Sequence, residues 1–111
     1  MTEIGKARIV VPAHISRGDV VRIQSIVQHP MDTGFFRDAN ASIIPPYFIQ
    51  EVTISFGGAE IARFEWTSGI SRDPVVTFML RADTEGPLTM VWKDNKGGVY
   101  QSSVDIAFST T

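Results

Sequence analysis

The sequence predicts an all-β protein, an immunoglobulin-like antiparallel β-sandwich of about seven strands. Apolar residues recur at every second position through most of the 111 residues, and clusters of Gly, Pro, Asp, Asn and Ser separate the runs. No apolar stripe at helical spacing is sustained for about ten residues. A period of two sends alternate side chains to opposite faces of a strand, so each run reads as a strand with one buried and one wetted face. The inter-sheet disulfide of antibody domains is absent, because the chain has no cysteine.

The first strand falls on residues 7–11, Ala-Arg-Ile-Val-Val. The second lies within residues 18–28, where Val21, Ile23 and Val27 share a face that Ser25 interrupts, opposite Arg22, Gln24 and Gln28. Val52, Ile54 and Phe56 alternate with Glu51, Thr53 and Ser55 in the third; Ala62, Phe64 and Trp66 alternate with Ile61, Arg63 and Glu65 in the fourth. Gly57-Gly58 between them predicts a two-residue hairpin turn, since types I′ and II′ need the positive φ that glycine adopts without a Cβ clash. Val76, Phe78, Leu80 and Ala82 mark the fifth strand, Leu88, Met90 and Trp92 the sixth, and Tyr100, Val104, Ile106 and Phe108 the seventh. Asp94-Asn95-Lys96-Gly97-Gly98 joins the last two as a hairpin loop. Trp66 and Trp92 sit on apolar faces and are expected in the core.

A single domain over residues 1–111 is expected, with 43% hydrophobic and 20% charged residues placing it in the globular range. A formal net charge of -2 argues against nucleic acid, whose backbone asks for a clustered Lys/Arg excess. No apolar run approaches the roughly 20 residues that span a bilayer, so no membrane role is expected. Met-Thr-Glu-Ile-Gly-Lys-Ala-Arg has neither a basic n-region nor an apolar h-region; no secretory signal is legible, and by itself the chain reads as cytoplasmic. The absence of cysteine removes thiolate metal sites and cysteine nucleophiles. His14 and His29 are the only histidines, without metal-ligand spacing, and no metal, cofactor or catalytic residue is assigned. His29 with Asp32 is the one conceivable base-and-orienter pair; the plainer reading has His29 bonding backbone at a strand end, with Pro30 stopping the ladder. His14 reads as a solvated turn residue.

Function is expected near the long segment that follows the second strand and regains regular structure only at about Tyr47. Residues 35–46 resemble a linker, punctuated by Asp38, Asn40, Ser42, Pro45 and Pro46. Yet Met31, Phe35, Phe36, Ile43, Ile44, Tyr47 and Phe48 make the segment unusually apolar, so it either folds back over the sandwich or meets another protein. Being a loop, it is expected to matter little for stability, and His29→Ala to leave melting nearly unchanged.

His29-Pro30-Met31-Asp32-Thr33-Gly34 resembles the His-Pro-Met-Glu-Thr-Gly motif of the Z-subunit family of SoxYZ sulfur-carrier complexes, which serve bacterial thiosulfate oxidation. The resemblance continues in Ala7-Arg8-Ile9-Val10-Val11-Pro12, Ile44-Pro45-Pro46-Tyr47-Phe48-Ile49, Ile70-Ser71-Arg72-Asp73-Pro74 and Trp92-Lys93-Asp94, followed by Gly98-Val99-Tyr100. Asp32 stands where the motif commonly has Glu.

The resemblance implies a non-enzymatic subunit that pairs with SoxY, whose C-terminal Gly-Gly-Cys-Gly-Gly arm carries sulfur, and that helps dock the transient Sox enzymes. It also implies a periplasmic location, reached by co-export on the partner's signal. His29, Pro30, Met31, Asp32, Thr33, Gly34, Phe35 and Phe36 are the expected partner-binding residues. An isolated chain with such a face bare is expected to homodimerise. The rival reading is a free-standing ligand-binding or adhesion sandwich with an apolar pocket in the loop.

Overall fold

The computed structural model describes residues 4–109, and within them the chain forms seven strands and no helix. They are β1 (Ala7–Val10), β2 (Val20–Val27), β3 (Ile49–Phe56), β4 (Ala59–Glu65), β5 (Val75–Arg81), β6 (Gly86–Asp94) and β7 (Val99–Ile106). All pairings are antiparallel and form two sheets, β1-β2-β5 and β4-β3-β6-β7. The predicted sandwich is therefore the observed one. Its fourth strand pairs with the third, whereas in constant-type antibody domains it lies on the sheet of the first, second and fifth.

The alternation seen in the sequence is the core. In β2 burial alternates without a break, and Val21, Ile23, Ser25 and Val27 point inward. The three aliphatic ones meet Val52 and Ile54 of β3, Leu88, Met90 and Trp92 of β6 and Ile106 of β7 in one apolar cluster. Trp92 is fully buried as expected, while Trp66 only packs against the cluster's margin. Gly57 and Gly58 both have positive φ, 62° and 86°, which is the requirement of a type I′ turn. β1 runs beside β7 on one side of the sandwich. On the other side, β4 and β5 stay apart and leave a groove of about 380 Å³ lined by Phe64, Trp66, Ile70, Val75, Val76 and Thr77.

Residues 32–47 are neither a linker nor a flap over the sandwich. They form a hairpin-like ribbon paired at its two ends: Asp32 with Tyr47 at the base, Arg37 with Ile43 near the tip. Backbone bonds run both ways between Asp32 and Tyr47 (2.7 and 3.0 Å), and the Ile44 N–H donates to the Phe36 carbonyl (2.8 Å). Pro45 and Pro46 have no N–H, which explains why the ladder breaks between those two bridges. The tip closes on Asp38, whose carboxylate accepts the N–H groups of Asn40 and Ser42. The radius of gyration is 16.4 Å and the longest dimension 60 Å, against roughly 13 Å for a compact domain of about 100 residues. Strands of eight or nine residues reach only about 30 Å. The projecting ribbon accounts for the excess.

Candidate functional site

The motif at residues 29–34 is split by the surface of the protein. His29 is fully buried and Met31 nearly so; Pro30, Asp32, Thr33 and Gly34 are half-buried; Phe35 is 87% exposed and Phe36 is exposed as well. The eight residues expected at a partner surface thus form an anchor that passes into an exposed lever.

The anchor begins just past β2, where the His29 N–H donates to Asp73 Oδ1 (2.9 Å) and the Asp73 N–H returns to the His29 carbonyl (3.0 Å). This exchange clamps the end of β2 to the turn before β5. The ring then turns inward. Its Nδ1 accepts the Met31 N–H (3.2 Å), which assigns the proton to Nε2, and Nε2 donates to Asp94 Oδ2 (3.3 Å). His29 does bond backbone, as its plainer reading has it, but its acid is Asp94 rather than Asp32. Asp32 instead ties the ribbon base through its backbone.

Asp94 closes β6 and organises the loop to β7. Its Oδ1 accepts the N–H groups of Lys96 (2.9 Å) and Gly98 (2.7 Å), an Asx-type closure of the hairpin, and its Oδ2 accepts the Tyr100 hydroxyl as well as His29. Because Tyr100 gives its proton to Asp94, the Tyr47 hydroxyl at 3.1 Å donates to Tyr100. Burial works to raise the Asp94 pKa, but the bonds from Tyr100, Gly98, Lys96 and His29 outweigh it and hold the carboxyl below its ordinary range. Burial and the neighbouring carboxylate push the Tyr100 phenol well above its usual value. Tyr100 therefore stays a donor at any physiological pH.

Packing fits the ring of bonds closely. Tyr47 lies against His29 with ring centroids 4.4 Å apart, and the Lys96 ammonium sits over the Tyr47 ring, 4.2 Å from its centroid. A Cβ on Gly98 would collide with the Asp94 carboxylate and the Tyr100 hydroxyl, so only glycine fits there. Met31 holds a positive φ of 53°, uncommon for a side chain of its size. Its thioether accepts the Ile49 N–H at 3.3 Å while its own N–H is bound to His29, so the strained residue is fixed from both sides. Gly34 turns the ribbon outward with φ 88° and packs where a Cβ would press on Pro46 at 3.1 Å.

A cluster sealed in this way orients; it does not offer a nucleophile or base to a substrate, since His29 and the Asp94 side chain have no exposed surface. Among the described residues no three His, Asp or Glu side chains converge as metal ligands. His14 is exposed and 3.4 Å from the Ser109 hydroxyl. Sequence reasoning missed Asp94, Tyr100, Tyr47 and Asp73 as His29's surroundings. Asp94 at the head of a loop was a legible turn signal, but the histidine it faces lies 65 residues away.

A family model described as sulphur oxidation protein SoxZ matches residues 9–105. None of the curated proteins compared with the chain matches it. Among solved structures, a superoxide reductase (neelaredoxin) from Ignicoccus hospitalis aligns with TM-score 0.68 at 19% identity, over 93% of this chain and 80% of that one. The sulfur carrier protein SoxY from Chlorobium limicola f thiosulfatophilum aligns with TM-score 0.63 at 16% identity, over 94% of this chain and 79% of that one. At such identities the likeness is one of fold.

Proposed function

The chain belongs to the SoxZ family and serves the Sox sulfur-oxidation system, and from that premise we propose that it is the non-catalytic partner of SoxY. In this reading SoxY bears the sulfur on cysteine, and this chain, which has none, positions the carrier and helps dock the Sox enzymes that act on it. One observation carries the proposal: the ribbon at residues 32–47 projects with Phe35, Phe36 and Ile43 bare, while the His29 ring and the Asp94 carboxylate at its base are sealed from solvent. Bare aromatics on a braced support suit a protein contact, since a rigid element loses little entropy on docking. The pair would reach the periplasm on SoxY's export signal.

Co-expression with the SoxY of the same genome, followed by size exclusion and mass measurement, tests the reading. A stoichiometric pair is expected, and Phe35→Ser with Phe36→Ser should weaken it at least about tenfold. Incubating the chain alone with thiosulfate or polysulfide should leave its mass unchanged. The groove between β4 and β5 favours a second reading, a ligand-binding sandwich. A chain that ignores SoxY and takes up an apolar small molecule in that groove would establish it instead.

A further inference from the structure

The two sheets show solvent very different outer faces. On the four-stranded sheet the outward rows run Glu65-Glu51-Lys93-Val99, Arg63-Thr53-Val91-Gln101 and Glu60-Ser55-Thr89-Ser103; Val99 and Ile61 of β4 are exposed aliphatics here too, but both signs of charge lie among them and Arg63 is ion-paired with Glu51 (3.0 Å) and Glu60 (2.7 Å). That is an ordinary wetted face. On the three-stranded sheet, the strand register places Arg8, Ile26 and Val75 in one row, Val10, Gln24 and Thr77 in the next, then Arg22 beside Met79 and Val20 beside Arg81. Val10, Val20, Ile26, Val75 and Met79 are all exposed, Met79 by 61%. No carboxylate lies in these rows, and among the described residues none of Arg8, Arg22 and Arg81 is in an ion pair. Arg8, Val10, Gln24, Ile26 and Val75 also line a hollow of about 290 Å³.

Aliphatic side chains and arginine together, with acidic residues excluded, are the composition of an interface core rather than of open surface. We propose that this outer face is the second half of the SoxY seat, and that the SoxY surface meeting it presents apolar side chains ringed by carboxylates. The inference rests on the pairing proposed above. Area argues for it: Phe35 and Phe36 bury at most roughly 250 Å² each, whereas an obligate pair hides on the order of 1,000 Å² or more on each partner. Those two aromatic anchors fall short by themselves. Position argues for it too, because the row of Arg8, Ile26 and Val75 lies at the end of the sheet where β2 runs into His29 and the ribbon departs. Three unpaired guanidinium groups on the face select a partner surface of opposite sign.

The absence of cysteine from this chain makes the test clean. Thr77→Cys places a single thiol in the row of Val10 and Gln24, on the β5 edge of the face; in the full chain alone it should react freely with a maleimide, and in the pair with SoxY the mass of this chain should show it protected at least about tenfold. Ile26→Asp should weaken pairing about thirtyfold or more. Arg8→Glu with Arg22→Glu should weaken it about tenfold at low salt, and Lys93→Glu on the opposite face should not. Thermal melts establish that each variant is folded, and Thr77→Cys is conservative enough to stand if another is not. A wild-type chain that fails to pair with SoxY overturns both proposals. Normal pairing with Thr77→Cys still labelled, or with Ile26→Asp and the arginine reversals binding like wild type, overturns this one alone. Protection of the thiol in the isolated chain would assign the face to a second copy and equally overturn it.

Discussion

At one end of the segment that joins β2 to β3, His29, Met31 and Tyr47 are held by hydrogen bonds and ring contacts to Asp94, Ile49 and Tyr100; at the other, Phe35, Phe36 and Ile43 touch water. Base and tip belong to one stretch of chain and obey opposite demands. The base buries polar groups, which is tolerable only when donors find acceptors, and here four donors, from His29, Lys96, Gly98 and Tyr100, converge on the single carboxylate of Asp94. The tip exposes apolar groups, which costs little in the isolated fold and is useful only against a partner. The lesson is that a family motif need not act at one place: its first half fixes a lever, and its neighbours form the lever.

The strongest way to break the contrast is Asp94→Ala. It leaves the donors of His29, Lys96, Gly98 and Tyr100 without their acceptor, and should cost about 3–5 kcal/mol in urea unfolding. His29→Ala comes next, at about 2–3 kcal/mol, from the void it leaves and the unbound Met31 N–H. This replaces the expectation that a loop residue would barely affect melting: His29 is loop by sequence and core by burial. Gly98→Ala should cost about 1–3 kcal/mol by forcing the Asp94 carboxylate and the Tyr100 hydroxyl apart.

Acidification sharpens the same comparison. The folded pKa of Asp94 lies below its unfolded value of about 3.9, so its contribution is fully present above that value and fades as pH falls through the folded pKa. The stability difference between wild type and Asp94→Asn should hold from pH 7 to about 5 and shrink below about pH 4. Urea midpoints across that range measure it. The smallest effect on folding belongs to the tip: Phe35→Ser with Phe36→Ser should change unfolding by under about 0.5 kcal/mol, while loss of SoxY affinity records its role. A large destabilisation there would erase the distinction between base and tip.

Much of the sandwich was legible residue by residue. Val21, Ile23, Ser25 and Val27 alternate in sequence and point inward in the sheet, and Gly57-Gly58 announced its turn, because strand period and turn φ are local properties of the backbone. The ribbon was half legible. Its apolar content flagged it, but Pro45 and Pro46 disguised a paired hairpin as a linker by removing the donors between its two bridges.

The sequence by itself determined the strands, the turns, the lack of a sulfur-bearing thiol and, through residues 29–34 together with the motifs spread from Ala7 to Tyr100, the family. Only the tertiary structure decided that His29 answers to Asp94 rather than Asp32, that Tyr47 and Tyr100 complete the cluster, and that one sheet carries on an apolar outer face arginines with no ion pair among the described residues. The physical reason is range. Alternation and turn preference are set within a few residues, whereas a buried hydrogen bond or a shared sheet face depends on which distant segments the packing of the core brings together.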